Sequence, residues 1–130
     1  MANFGKINGS NIVLNILVVD DKTLLDNNGI RNESLGQSFL EDLTGWPANQ
    51  WVLEDGVRKN PVGIGSEWDA TNQIFWPPQP FATWSKDIAQ AKWMSPLGEV
   101  PELTQEEKDQ NKTYVWNDEN QNFELITINN

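Results

Sequence analysis

Residues 58–85, RKNPVGIGSEWDATNQIFWPPQPFATWS, hold three of the seven tryptophans and four of the seven prolines. Asn60-Pro61-Val62-Gly63-Ile64-Gly65 reads as an extended, Gly-punctuated approach. It is not a phosphate loop, because Gly63-Ile64-Gly65 lacks the third Gly, the following Lys-Ser/Thr and a following helix. Trp68 to Phe75 then sets aromatic residues on either side of the polar turn Asp69-Ala70-Thr71-Asn72-Gln73, the pattern of a tight aromatic hairpin. Pro77-Pro78-Gln79-Pro80 cannot lie in a central strand and reads as a stiff polyproline II connector.

The hairpin pattern recurs. Trp84 to Trp93 repeats it with an expected longer turn, and Trp116 to Phe123 repeats it again. In each ribbon the two aromatics are expected to face each other across the strands, a contact of roughly 0.2–1 kcal/mol. The fold class expected is therefore mostly β (α+β): an antiparallel meander of short aromatic hairpins with one helix packed on the sheet.

Upstream, Asn8-Gly9 between two β-prone runs signals a first hairpin. Its second strand, Ile12 to Val19, ends in a continuous apolar run and is expected to be central. Glu33 to Leu43 is the one clear helix, with Ser34 expected to cap it, Asn32 as a competing cap and Gly45 as the stop. Leu35, Phe39, Leu40 and Leu43 form a helical stripe, expected to pack against the sheet, with Glu41 and Asp42 solvated. Trp51 to Glu54 reads as a short strand. Residues 96–112 are polar and acid-rich, a loop in which Thr104 can cap one helical turn. The chain is expected to be a single domain over 1–130: hairpin, helix and strand at 1–57, aromatic hairpins and proline bridge at 58–96, acidic loop at 97–113, and a C-terminal hairpin at 114–130.

Composition narrows function. Nine basic residues against nineteen acidic ones give a formal charge of −10, which disfavours nucleic acid and anionic membranes. With no Cys and no His, disulfides, thiol chemistry and Cys/His zinc sites are excluded. No cofactor is expected. The opening MANFGKINGS lacks the pattern of a signal peptide, and the longest apolar run, Ile16 to Val19, is far too short for a membrane helix. Asp20-Asp21 and Asp26-Asn27-Asn28-Gly29 are turn chemistry, since the Gly and Glu spacing of a calcium loop is absent. Glu67 and Asp69 flank Trp68 as a carboxylate pair, but they lie two apart on a strand and Asp69 is an ordinary turn-entry residue. Enzymatic activity is not expected.

Three segments together carry a resemblance: MANFGKINGSNIVLNILVVDD (1–21), ESLGQSFLEDLTG (33–45) and RKNPVGIGSEWDATNQIFWPPQPFATW (58–84). The chain resembles a family of small proteins encoded by tailed bacteriophages of marine and cyanobacterial type. In that family an Arg-Lys-Asn-x-x-Gly-x-Gly segment runs into an aromatic-Asp hairpin and a Pro-Pro-x-Pro bridge. Pro61 here stands where an aromatic is expected, and Trp76 adds bulk before the prolines. The resemblance implies a virion structural protein without catalytic residues, located in the virion. The leading expectation is a capsid decoration or cement protein that binds the shell. The alternative is a tail or tail-fibre component, including a glycan-binding module for host attachment. Implied partners are the major capsid protein or tail proteins, with a homo-oligomer and a glycan as further options. The candidate interface residues are Trp68, Trp76, Pro77, Pro78, Pro80, Phe81, Trp84, Trp93 and Trp116.

Overall fold

The computed structural model of the chain describes residues 1–128. The chain is mostly β, with short antiparallel hairpins and one long helix. It forms two compact units, Met1–Pro78 and a second beginning at Gln79.

The first unit is built on an antiparallel sheet of β1 (Ala2–Ile7), β2 (Val13–Val19) and β3 (Trp51–Leu53), in the order β2-β1-β3. The more apolar β2, expected to be central, is an edge strand, and Val18 is 57% exposed. Centrality went to β1 because β3 pairs with its other side, Phe4 opposite Leu53 and Gly5 opposite Val52. The β1–β2 turn forms at the expected Asn8-Gly9. The left-handed residue, however, is Asn11 (φ 63°), while the Asn8 side chain accepts from the N–H groups of Ser10 and Ile12.

Period-two alternation gives this sheet two apolar faces. Ala2, Phe4, Val19, Trp51 and Leu53 pack on one face with Leu24 and Leu40, beneath helix α1 (Glu33–Thr44). Ile7, Val13 and Val52 pack on the other with Trp68 and Phe75. Those two aromatics come from the hairpin of β4 (Glu67–Asp69) and β5 (Ile74–Trp76), which covers that face. The approach segment fastens this hairpin to the sheet. Val13 and Ser66 join by backbone at 2.8 Å, Trp68 N–H donates to Asn11 O at 2.7 Å, and Lys59 bridges Ile74 in parallel. Gly5 is required on this face, since a Cβ there would lie 2.8 Å from Val62 Cγ2.

Helix α1 starts at Asn32, whose side chain accepts from Ser34 N–H, and stops at Gly45 with φ 79°. Its buried residues are Gly36 and Leu40. The expected stripe is thereby corrected: of its four members only Leu40 is buried, while Leu35, Phe39 and Leu43 are 37%, 42% and 66% exposed. The cause is close approach. A Cβ on residue 36 would sit 2.4 Å from Phe4 Cζ, so the helix turns its smallest residue inward and lies nearly on the sheet. The flank toward β3 is polar: Gln37 Nε2 donates to Trp51 O at 2.7 Å and Glu33 accepts from Leu53 N–H at 2.7 Å.

Arg58 completes that seam. One nitrogen donates to Leu53 O (2.6 Å) and Glu33 (2.8 Å), a second to the other Glu33 oxygen (2.8 Å), and Nε to Gln73 Oε1 (2.9 Å). The guanidinium also lies 5.0 Å from the Trp68 ring centroid.

The second unit consists of two separate ribbons, β6 (Ser85–Asp87) with β7 (Lys92–Met94), and β8 (Lys112–Asn117) with β9 (Asn122–Thr127). Between them Thr104 caps the short helix α2 (Gln105–Asp109) in a full capping box with Glu107. The β6–β7 turn corrects the expected register. Its four-residue turn is no longer than that of β4–β5, Trp84 falls before the strand, and Lys86 rather than Trp84 stands opposite Trp93. The Lys86 ammonium lies 5.6 Å from the Trp93 ring centroid, so a cation–π contact takes the place of the aromatic pair.

Two stability outcomes are expected. Gly36→Ala gains about 1 kcal/mol of helix propensity but overpacks the Phe4 contact, at about 1–3 kcal/mol. Urea unfolding is expected to show net destabilisation, with Gly9→Ala, where a Cβ meets nothing within 4 Å, as the neutral control. Arg58→Ala strands a Glu33 carboxylate whose side chain is only 27% exposed, and is expected to lose roughly 3 kcal/mol. Arg58→Lys is expected to recover little of this, because an ammonium cannot span Leu53 O and both Glu33 oxygens.

Candidate functional site

The nine candidate interface residues divide by burial. Trp68 and Trp76 are 7% and 0% exposed and serve as interior. Trp68 lies 4.6 Å from Phe75 between ring centroids, directly opposite it in the ladder. Trp76 Nε1 donates to Asp69 Oδ2 at 3.2 Å. Pro77, Pro78 and Pro80 are exposed. Phe81, Trp84, Trp93 and Trp116 are half-buried.

Within the second unit four rings form a chain. Centroids are 5.4 Å apart for Phe81–Trp84, 5.8 Å for Trp84–Trp116 and 4.9 Å for Trp116–Phe123, the last two edge-on. Trp116 and Phe123 pair as expected, because Asn117 opens the turn and puts them opposite each other. Asp118 locks this chain of rings. Its Oδ1 accepts from Trp116 Nε1 at 3.0 Å and from the Thr83 hydroxyl. The Thr83 hydroxyl first, then the Trp116 indole N–H, hold the Asp118 carboxyl below the usual carboxylate range.

Of the two carboxylates flanking Trp68, Asp69 does turn chemistry. Asp69 accepts from Asn72 N–H and Asn72 Nδ2 as well as from Trp76. A groove of about 530 Å³ in the second unit is walled by Val100, Pro101, Leu103 and Tyr114, with Glu102 and Lys108 at its polar positions. Its lining brings one acid and one base to a largely apolar trough, with no second carboxylate for acid–base work.

Two apolar rows face solvent. Leu35, Phe39 and Leu43, at i, i+4 and i+8, make one ridge along α1. On the ribbon β8–β9, Val115 and Ile126 share a face, continued by Ile128, at 38%, 42% and 48% exposure. The residues of α1 were legible as a stripe. What hid their exposure was Gly36, whose role depends on the Phe4 ring across the layer.

No protein-family model, curated protein or solved structure matches the chain. No helix among the described residues is long and apolar enough to cross a membrane.

The Asp118 lock has a pH signature. Its carboxyl titrates lower in the folded chain than in the unfolded one, so its stabilisation is full above the unfolded value and is lost as pH falls through the folded one. Acid titration followed by tryptophan fluorescence is expected to show the ring chain loosening below the ordinary aspartate range. Asp118→Asn is expected to remove that transition while leaving the fold intact at neutral pH.

Proposed function

We propose that this chain is a bacteriophage virion structural protein that works by binding other virion proteins, with capsid decoration as the leading role. The observation that carries the reading is the exposed apolar row of Leu35, Phe39 and Leu43 along α1, with Val115, Ile126 and Ile128 exposed on one face of β8–β9. Rows of this kind mark contact surfaces. The resemblance of residues 1–21, 33–45 and 58–84 to small tailed-phage proteins supplies the setting. Repetition over a shell lets contacts of modest area add up.

Asp69, one of the two carboxylates flanking Trp68, is occupied in its turn, and Asp118 is occupied beside Trp116, which supports a binding role over turnover. A tail or fibre position is the alternative. Its glycan-binding form calls for open Trp faces in a row, and the burial of Trp68 and Trp76 and half-burial of Trp84 and Trp116 weigh against that form.

Localisation in purified particles tests the proposal. Cryo-EM of the virion, with copy number from quantitative mass spectrometry, is expected to place many copies on the shell. A few copies at the tail would move the assignment to an adaptor or fibre, and absence from the particle would overturn it. Ile126→Glu, on the exposed face of β8–β9, is expected to leave the isolated chain folded and to reduce its occupancy on particles lacking the native copy.

A further inference from the structure

The charges around α1 run against the helix. A helix N-terminus favours acids and its C-terminus favours bases. Here the cation Arg31 immediately precedes the Asn32 cap, while Glu41 and Asp42 lie in the last turns, which carry no basic residue. Glu41 is held there, accepting from Ala48 N–H at 2.7 Å. Glu33 follows the usual preference, but Arg58 binds it on the β3 side of the helix. Arg31 gains little within the chain: its closest acid, Asp21, is 3.7 Å away and already takes the terminal ammonium. Arg31 and Asp42 are both exposed.

This placement is unfavourable in a lone helix and favourable in an antiparallel pair. Two α1 helices related by a two-fold axis near Phe39 bring residue 39+n of one beside residue 39−n of the other. Leu35 then meets the partner's Leu43 and the two Phe39 rings meet at the axis. Arg31 reaches the partner's last turn, where Asp42 lies. Arg31 lies just outside the helix, past the extended Asn32, so its long side chain rather than the helical register carries it toward that turn. The helix dipoles also oppose. A two-fold makes one ridge complementary to itself, as isologous interfaces require.

We infer that the exposed face of α1 is a self-association surface, on which a second copy of this chain docks antiparallel through Leu35, Phe39 and Leu43 with Arg31–Asp42 pairs at both ends. An interface centred on three side chains per copy belongs below about 1,200 Å². It is a weak dimer, formed at high concentration or where copies are held side by side. The inference concerns the purified chain alone and does not depend on a place in the virion.

Analytical ultracentrifugation of the full chain up to about 1 mM, a concentration that detects even millimolar dissociation constants, tests it. The expected result is a concentration-dependent dimer. Leu43→Glu should abolish it, Arg31→Asp should weaken it about tenfold, and Arg31→Asp with Asp42→Arg should restore it. All three positions are exposed, and circular dichroism confirms that each variant is folded before its association is scored. A monomer at every concentration overturns the inference. So does a dimer indifferent to Leu43→Glu, or failure of the charge-swapped pair to recover association.

Discussion

The outer side of β3 is the constraint on which the first unit depends. A three-residue edge strand, buried at every position, exposes backbone groups that no fourth strand takes up, and unpaired buried backbone is costly. Side chains replace the missing strand. Glu33 accepts from Leu53 N–H, Arg58 donates to Leu53 O, and Gln37 donates to Trp51 O. Arg58 then binds Glu33 through both carboxylate oxygens and Gln73 through Nε. A single guanidinium thereby fixes α1, β3 and the β4–β5 turn relative to one another. The Glu33 hydrogen bonds first, opposed by partial burial, raise the Arg58 pKa, and the guanidinium is charged at any working pH as arginines are.

The same local device builds three hairpins. Asp69, Asp87 and Asn117 each close the first strand and accept from the backbone N–H three residues on. Gln73, Ala91 and Gln121 each take the left-handed conformation before the return strand, with φ of 58°, 55° and 50°. The repeat is thus anchored on the Asx residue, not on the tryptophan. Counted from that anchor, the first aromatic position holds Trp68, Lys86 and Trp116, and the return position Phe75, Trp93 and Phe123. The middle ribbon substitutes a lysine at the first position and keeps the contact through its charge.

Burial separates the two units and bears on how the chain works. The first unit encloses two apolar layers around one sheet. Among its described residues the second buries only Ala91 and Ser95 and leaves its rings half-covered, with apolar side chains such as Val115, Ile126 and Ile128 at the surface. A polypeptide that leaves ordered rows of apolar side chains in water gains most when another surface covers them. That balance is the physical ground for the proposal that the chain works by surface binding.

Much of this was legible in the residues. Asn8-Gly9 marked a turn, Gly45 stopped the helix, Thr104 capped α2, and Trp68–Phe75 and Trp116–Phe123 paired as their spacing implied, while the helix cap fell to Asn32 rather than Ser34. These are local effects, decided within a few residues by capping, turn chemistry and period-two alternation. The tertiary structure alone decided that β1 rather than β2 is central, because centrality depends on β3, which lies beyond the helix in sequence. It alone decided that Gly36 faces inward and Leu35, Phe39 and Leu43 outward, because that rotation follows from the Phe4 ring beneath the helix. It alone made Arg58 the hub, since nothing near Arg58 in sequence announces Glu33. Periodicity shows that a helix has an apolar side; only the neighbour it packs against determines which side is covered.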